Sequence, residues 1–358
     1  MRFYEFELIK AADILTRELF KLKPGETFII TADTESDPQI VEATASAAFT
    51  IGAKPMIIWL ATPTDVGKAA DHFWPSEAIV GALKATDSWV EFNGKNLLYS
   101  TPYDTAMKEN KRLRYLCLSG CNTDMMVRCI GRVNYPILKE FMEKIAEMTR
   151  NAQQVRVKAP GGTEVEFKMP KTPDGKPDPN RPYTARVGYA DVPGAHMMGG
   201  QIGGVPDLDT VNGTIAYDGS IGPMPATCGL LEEPVRMTLK DGTIVKVEGG
   251  RQAREFETWL KSFNHPRMLK MAHFNYGFNP GAKLTGNTVE DERIWGCTQW
   301  GIGNLDARLV KPDGIPAPSH TDGQCLNSSV WLDGKQIMDQ GRMVEPYLAE
   351  LAKKLGKA

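Results

Sequence analysis

Two histidines and one aspartate in the C-terminal part of the chain form the pattern that could do chemistry. His320 and Asp322 lie two residues apart in Ser319-His320-Thr321-Asp322, and His273 lies earlier. On an extended segment residues i and i+2 face the same side, so the pair can bind one ion that His273 reaches from a neighbouring strand or loop. Two imidazoles and one carboxylate leave the opposite face of a metal open, as in non-haem Fe(II) oxygenases, whereas a structural zinc site needs a fourth ligand.

The scarcity of histidine gives this pattern weight. A His-x-Asp match is common by chance, but the chain has only 5 His in 358 residues. Of the other three, His196 lies in a Gly-rich segment that we interpret as a loop. His72 fits a helix end or a partly buried position, and His265, before Pro266, fits a turn.

The bulk composition excludes several classes of function. The 42 basic and 44 acidic side chains give a formal net charge of -2, so no electrostatic footprint for nucleic acid is present. The N-terminal residues carry charge inside their apolar stretch and lack the apolar core of a signal peptide. No run approaches the roughly 18 apolar residues of a membrane span. We therefore expect a soluble, cytoplasmic protein with small-molecule partners.

The six cysteines do not form a recognisable metal pattern. Cys117, Cys121 and Cys129 are close in sequence, but no Cys-x2-Cys pair occurs and no fourth ligand lies nearby. We interpret the cysteines as reduced thiols, mostly in the core.

Residues 1–150 show the periodicity of an α/β domain. A β-rich run at 27–32 precedes a helix that starts at Ser36-Asp37-Pro38 and ends at Gly52, and a second strand follows at 54–60. Strand, helix and strand in this order make a right-handed parallel unit. Further strands are predicted at 88–92 and 114–118, and helices at 103–110 and 135–150. The prediction is an open parallel sheet with helices on both faces, without a glycine-rich loop for a dinucleotide.

The pattern of residues 151–358 predicts a second domain, a mainly antiparallel α+β domain that carries the candidate metal residues. Alternating runs at 155–158 and 164–168 flank Gly161-Gly162 and predict a hairpin. A second hairpin is predicted around Asp241-Gly242, a dipeptide that favours a type I′ turn. A Pro-, Asp- and Lys-rich loop is predicted at 171–182, and one helix at 252–263.

These motifs support a resemblance that covers nearly the whole chain. The resemblance rests on Lys23-Pro24-Gly25, Asp37-Pro38, Gly188-Tyr189-Ala190-Asp191, Asn212-Gly213-Thr214-Ile215, Phe278-Asn279-Pro280-Gly281, Val289-Glu290-Asp291-Glu292-Arg293-Ile294-Trp295-Gly296 and Ser319-His320-Thr321-Asp322. Through these segments the sequence is similar to the thermophilic aminopeptidases of the aminopeptidase T type, and more specifically to their mononuclear-iron relatives, the 2,5-dihydroxypyridine 5,6-dioxygenases.

The two branches of this family differ at the metal. The aminopeptidases hold two metals with Glu and His side chains ahead of a final His-x-Asp. By the resemblance, Gln201 stands at the first Glu position, His273 at the second, and Gln299 at the position of a later His. A neutral amide is a poor bridge between two dications, so the two-metal mechanism loses support. The change from Glu to His at position 273 is what the dioxygenase branch shows.

The resemblance implies an Fe(II) dioxygenase with one iron per subunit, bound by His273, His320 and Asp322. It would use O2 to cleave a small dihydroxylated N-heterocycle or aromatic ring, in aromatic catabolism. A single-metal hydrolase that uses Zn or Mn on an amide or ring C–N bond stays open, as does a non-catalytic relative. The resemblance also implies a homo-oligomer.

Four further residues are candidates for the substrate pocket. Tyr99 falls where the dioxygenases place a pocket His, and His196 is the match for another pocket His. Either could exchange protons or hydrogen-bond the substrate, but His196 could equally face solvent and Tyr99 could simply pack. Gln201 and Gln299 can orient substrate or a water, or be inert replacements of lost ligands.

An acidic cluster, Glu290-Asp291-Glu292, also matches the family's segment. Three adjacent carboxylates more often belong to a solvated turn, and we expect such a turn here. Glu290 is kept as a candidate partner of the metal ligands.

Overall fold

The computed structural model describes residues 4–222 and 229–357, which form two compact units. The first unit contains the chain up to Val133 together with Arg186–Gly199. The second contains Asn134–Ala185 and the chain from Gly200 onwards. The chain therefore leaves the first unit, returns for one short segment and leaves again. The helix predicted at 135–150 lies in the second unit.

The first unit contains a five-stranded parallel sheet. Its strands are β1 Thr27–Asp33, β2 Lys54–Leu60, β3 Ser88–Glu91, β4 Arg114–Cys117 and β8 Gly194–Met197. They lie in the order β2-β1-β3-β4-β8, and each neighbouring pair is parallel. All but the first residue of β1 are buried, which is typical of a parallel strand covered on both faces. This sheet confirms the predicted parallel α/β domain.

Helices connect the strands of this unit. They are α1 Glu5–Asp13, α2 Pro38–Ile51, α3 Ser76–Ala85, α4 Thr101–Glu109 and α5 Thr123–Met126, with short π-helical segments at Ile14–Leu19 and Val127–Gly131 and a 3-10 turn at Gly67–Ala70. The bounds of α2 follow from local chemistry. The Asp37 side chain accepts a hydrogen bond from the Gln39 N–H, and Gly52 ends the helix with a φ of 89°.

The strand β8 corrects the prediction that His196 lies in a loop. The segment pairs in parallel with β4 and places His196 opposite Leu116. A four-residue strand at the edge of a sheet has too short a pattern to be recognised locally. It forms because the chain returns to the first unit, where residues 194–197 pair with the edge of β4.

The second unit contains an eight-stranded antiparallel sheet. Its strands are β5 Gln154–Ala159, β6 Thr163–Lys168, β10 Asp207–Tyr217, β12 Val235–Lys240, β13 Thr243–Glu248, β17 Ser329–Leu332, β18 Lys335–Asp339 and β19 Arg342–Met343, in the order β13-β12-β10-β6-β5-β17-β18-β19. Both predicted hairpins are confirmed, since β5 pairs with β6 and β12 with β13. Asp241 and Gly242 have φ values of 48° and 67°, as a type I′ turn requires.

A six-stranded sheet completes the second unit. Its strands are β7 Thr184–Arg186, β9 Gln201–Gly204, β11 Ile221–Gly222, β14 Met271–Gly277, β15 Cys297–Leu305 and β16 Ile315–Cys325, in the order β11-β16-β15-β14-β9-β7. Strand β15 pairs antiparallel with β14 on one side and with β16 on the other. The helices of the unit are α6 Tyr135–Asn151, α7 Arg251–Ser262, α8 Thr288–Asp291 and α9 Pro346–Lys354, with a 3-10 turn at Pro266–Leu269.

An aromatic cluster joins the two sheets of the second unit. Phe167 on β6 contacts Phe274 on β14 and Trp300 on β15, with ring centroids 4.9 and 5.3 Å apart. All three rings are buried. One face of the six-stranded sheet is thereby committed to the apolar core, because alternate side chains of a strand point to opposite faces. The other face remains for polar side chains.

Two further predictions concern cysteines and membranes. Within the described residues the five cysteines are buried and form no disulfide, while Cys228 lies outside those residues. None of the described helices combines the length and the apolar character that crossing a bilayer requires.

A carboxyl group is buried in the core of the first unit. Glu91, at the end of β3, is fully buried and accepts hydrogen bonds from the Tyr115 hydroxyl and the Leu97 N–H. Burial raises the pKa of Glu91 from 4.5 to about 7, although these two hydrogen bonds oppose the shift. Between these pH values the folded protein holds a proton that the unfolded chain has released. Stability must therefore fall as the pH rises through this window.

We expect Glu91→Gln to flatten this dependence, because an amide keeps hydrogen-bonding capacity but does not titrate. Between about pH 5 and about pH 8 the free energy of unfolding of the natural protein should fall by on the order of 3 kcal/mol more than that of the variant. Urea unfolding at both pH values measures the difference. The exposed Glu42→Gln is the control and should behave as the natural protein. Parallel pH profiles for all three proteins would refute the assignment.

Candidate metal centre

The three predicted ligands meet on the polar face of the six-stranded sheet. The His273 Nε2 lies 3.0 Å from the Asp322 Oδ1, and the His320 Nε2 lies 3.2 Å from the Asp322 Oδ2. The two Nε2 atoms are 3.2 Å apart. In the described part of the chain, this is the one group of three or more His, Cys, Asp or Glu side chains with ligand atoms close enough for an ion.

The three side chains come from two strands that are not neighbours. His273 lies on β14, whereas His320 and Asp322 lie on β16, and β15 runs between them. The two outer strands are therefore roughly 10 Å apart. Their side chains can approach each other only across the surface of β15.

Glycine on β15 leaves the space for this approach. Gly301 lies directly opposite Asp322, and Gly303 lies opposite His320. A Cβ atom at Gly301 would lie 2.5 Å from the His273 Nε2, closer than real Cβ atoms come. The imidazole of His273 thus occupies the place where any other residue at 301 would put its side chain.

An irregularity in the pairing of β14 and β15 also sets the direction of the His273 side chain. The register between β14 and β15 shifts between Met271, which pairs with Ile302, and Phe274, which pairs with Trp300. Ala272 and His273 therefore face the single residue Gly301, as in a β-bulge. Bulges bend a strand and redirect side chains, and they are frequent next to active sites.

A backbone hydrogen bond orients His320. Its Nδ1 lies 2.8 Å from the carbonyl oxygen of Asn304, so this nitrogen carries the proton and donates it to the carbonyl. The Nε2 is then the ring nitrogen that faces His273 and Asp322. Such a carbonyl contact is the usual partner of a metal-binding imidazole, because it sets the tautomer and the ring angle.

The charges within the group stabilise each other. Burial by itself raises the pKa of Asp322, but the two imidazoles offset it, and this pKa lies well below its ordinary value. Burial by itself lowers the pKa of His320, yet the Asp322 carboxylate and the Asn304 carbonyl raise it overall. A buried carboxylate thus keeps its negative charge, which is the form that binds a cation.

The spacing of the donor atoms fits a divalent transition metal. Nitrogen and oxygen ligands lie roughly 2.0–2.2 Å from such an ion, which puts two ligands at right angles about 3 Å apart. The two imidazole nitrogens are 3.2 Å apart, which is close to this value, and each faces a different Asp322 oxygen at 3.0 or 3.2 Å. His273, His320 and Asp322 could therefore hold one ion from one side.

Both predicted glutamines lie in a buried amide network on the same sheet. The Gln201 Nε2 donates to the Gln299 Oε1 at 2.7 Å and to the Glu292 Oε2 at 2.9 Å. The Gln299 Oε1 also accepts from the Asn275 Nδ2 at 2.9 Å. The Gln299 Nε2 is buried and, among the described residues, has no acceptor. Gln299 lies two residues from Gly301, so its side chain is on the face of the three predicted ligands.

The acidic cluster is not a solvated turn, contrary to our expectation. Glu290 and Asp291 are 2% and 0% exposed. Glu290 accepts a hydrogen bond from the Lys283 N–H, and Asp291 accepts from the Thr285 N–H and the Ser220 hydroxyl. Backbone donors that no local pattern reveals make this burial possible. The two carboxylates hold the loop before α8.

His196 and Tyr99 both belong to the first unit. The His196 Nε2 lies 2.9 Å from the Val192 carbonyl oxygen, and burial lowers the pKa of His196 below its ordinary value. Tyr99 is 47% exposed and has a φ of 67°. A positive φ is uncommon outside glycine and is enriched at functional sites.

Sequence reasoning missed three contributors to the site. Gly301, Asn275 and the Asn304 carbonyl were not among the predicted residues, and Glu292 was considered only as part of a charge run. A signal for the glycine was available, since Trp300-Gly301-Ile302-Gly303 alternates glycine with large apolar residues. Glycine inside a strand marks a close approach of another group.

Comparison with known proteins identifies the family. The family model for 2,5-dihydroxypyridine 5,6-dioxygenase matches residues 13–345, which is most of the chain. The protein therefore belongs to this dioxygenase family, as the resemblance in sequence predicted. A search of curated proteins finds no significant match.

Two solved structures share the fold over nearly the whole chain. The 2,5-dihydroxypyridine dioxygenase from Pseudomonas putida KT2440 has a TM-score of 0.75 and 20% identity, over 97% of this chain and 100% of that one. Wild-type AmpT from Thermus thermophilus has a TM-score of 0.64 and 15% identity, over 96% of this chain and 100% of that one. At these identities the likeness shows the fold, and it confirms the predicted combination of parallel and antiparallel sheets.

We expect Gly301→Ala to weaken the binding of a divalent ion by at least about tenfold, because the new methyl group displaces the His273 ring. Calorimetric titration with Zn2+ measures the affinity, and circular dichroism checks the fold. Gly81→Ala is the matched control, since a Cβ there meets nothing within 4 Å. Unchanged affinity in a folded Gly301→Ala protein would contradict the role of the glycine.

Proposed function

We propose that the protein is a mononuclear Fe(II) dioxygenase that cleaves a small dihydroxylated ring, of the 2,5-dihydroxypyridine type. The proposed ligands are His273, His320 and Asp322. Membership of the dioxygenase family supports the reaction class. The substrate class rests on the name of that family, and assembly into a homo-oligomer remains a prediction from the resemblance.

The observation that carries the proposal is the facial arrangement of the three donor atoms. The two imidazole Nε2 atoms lie 3.2 Å apart, and each lies 3.0–3.2 Å from a different oxygen of the Asp322 carboxylate. The group contains no cysteine, which a structural zinc site usually supplies. Two imidazoles and a carboxylate on one side are the ligand set of non-haem iron oxygenases. Fe(II), when bound, supplies the one-electron chemistry that allows O2 to react with an organic ring.

The buried amide of Gln299 is the proposed substrate contact on this face. Its oxygen already accepts two hydrogen bonds, from Gln201 and Asn275. Its NH2 group is a donor whose burial without an acceptor costs about 1–3 kcal/mol. A substrate oxygen, or a water that bridges to it, would satisfy this donor. Gln201 then acts by holding Gln299 in place.

His196 and Tyr99 are the proposed proton-transfer and substrate-contact groups of the other unit. The lowered pKa keeps the His196 imidazole neutral near pH 7, which is the form that accepts a proton from a substrate hydroxyl. Tyr99 has a φ of 67°, a backbone conformation that is enriched at functional sites. Both roles rest on the resemblance in sequence to the dioxygenases.

We expect His320→Ala to lose metal and activity together, because two remaining ligands cannot hold the ion against solvent. His196→Ala should keep its iron and lose turnover by about 100- to 10,000-fold if the group is an acid or base. An oxygen electrode with Fe(II) and 2,5-dihydroxypyridine measures turnover, and elemental analysis measures iron.

The control is His72→Ala, which removes an exposed histidine whose ring contacts the Ala69 carbonyl. It should keep both iron and activity. Product release in an anaerobic control, with no oxygen consumed, would replace the dioxygenase with a hydrolase. Full iron content in His320→Ala would refute the ligand assignment.

We expect one tightly bound ion per chain. The positions that by resemblance hold charged ligands in two-metal relatives carry Gln201 and Gln299, and these amides bond to each other. Neutral amides cannot balance the positive charge of a second dication in a buried site. Elemental analysis of metal-loaded protein tests this stoichiometry. Two ions per chain that survive dialysis would show that the amide network is not a barrier to the second.

A further inference from the structure

A cavity in the second unit is lined by none of the three candidate metal ligands. Its lining comes from the end of α6 and from the loop between β6 and β7, the Pro-rich segment that the sequence singled out. Its volume is about 190 Å3. Pockets for drug-sized ligands measure roughly 300–1,000 Å3, so this one suits a ligand of single-ring size.

The cavity carries more positive than negative charge. Arg150 and Arg181 both line it, and Asp178 is its one acidic lining residue. Neither guanidinium forms an ion pair within the described part of the chain, although the Arg181 Nη1 lies 3.4 Å from the Pro206 carbonyl oxygen. Asp178 does not pair with them either, and its Oδ1 accepts from the Asn180 N–H. Two cations are thus available to an anion.

Most of the remaining lining consists of proline and tyrosine rings. Four prolines contribute to the lining, and their fixed φ angles pre-form the loop. Tyr183 is 3% exposed and is held by stacking on Phe274, with centroids 6.4 Å apart. The Tyr183 hydroxyl is buried and, among the described residues, has no hydrogen-bond partner. Such walls favour a planar apolar body over a small hydrated ion such as chloride.

We propose that this cavity is a binding site for a small planar carboxylate, with its ring between the prolines and Tyr183 and its carboxylate on Arg150 and Arg181. A guanidinium presents parallel N–H donors that match the two oxygens of a carboxylate. A phosphate would satisfy the same donors but would leave the apolar walls unfilled. The site is independent of the metal chemistry proposed above.

Benzoate is the probe for this proposal, and titration calorimetry of the metal-loaded protein is the measurement. We expect saturable binding that weakens by about 10- to 100-fold in Arg181→Gln and in Arg150→Gln, because each change removes a charged donor. Benzamide, which has the same shape without the charge, should bind at least about tenfold more weakly than benzoate. Circular dichroism confirms that the variants fold.

Two further variants make the test specific to the cavity. Lys176→Gln removes a cation of the same loop that pairs with Asp174 and is not in the lining, so benzoate affinity should not change. Asp178→Asn should tighten binding by about three- to tenfold, because it removes the opposing charge and keeps the oxygen that accepts from Asn180. No binding of benzoate, or binding that neither arginine variant alters, would overturn the proposal. The second result would place benzoate elsewhere, for instance at the metal.

Discussion

The candidate centre depends on the lack of a side chain at Gly301, in the middle of strand β15. Ligands from β14 and β16 meet above β15, and they can do so because residue 301 is glycine. A methyl group there would lie 2.5 Å from the His273 Nε2. Van der Waals repulsion at that distance exceeds any gain from buried surface, so the ring would have to leave. The bulge at Ala272 and His273 directs the His273 side chain, and the Asn304 carbonyl orients the His320 ring.

Other contacts in the second unit offset the free-energy cost of burying charged side chains on this polar face. Buried charges are costly unless they are paired, and here one carboxylate is shared by two imidazoles. On the opposite face of the same strands, Phe274 and Trp300 pack against Phe167 of the other sheet. This apolar contact anchors β14 and β15 to the other sheet from the face opposite the polar side chains. Rigid strands are a better support for a metal site than loops, because they limit the spread of ligand positions.

The amide network next to the centre separates this site from a two-metal site. Gln201 and Gln299 share a hydrogen bond, and Gln201 also donates to the Glu292 carboxylate. The Glu292 charge also acts on His320 and favours its protonated form. A buried pair of neutral amides can share a hydrogen bond without an ion, whereas a pair of carboxylates at the same distance would repel unless a cation lay between them.

The sequence alone determined the features that depend on neighbouring residues. The i, i+2 spacing of His320 and Asp322 put both on one face, Asp37 and Gly52 bounded a helix, and Asp241-Gly242 defined a hairpin turn. Each is governed by backbone conformations within a few residues, so its pattern is readable locally. The family likeness extended this to His273 as the proposed third ligand.

Only the tertiary structure decided which strands meet. It placed β15 between the ligand strands and so explained Gly301, it returned His196 to the edge of the parallel sheet, and it buried Glu290 and Asp291 with donors from a distant turn and the preceding loop. These outcomes follow from strand pairings between residues far apart in sequence. No local pattern encodes them, because the energy of each pairing is shared across the whole sheet.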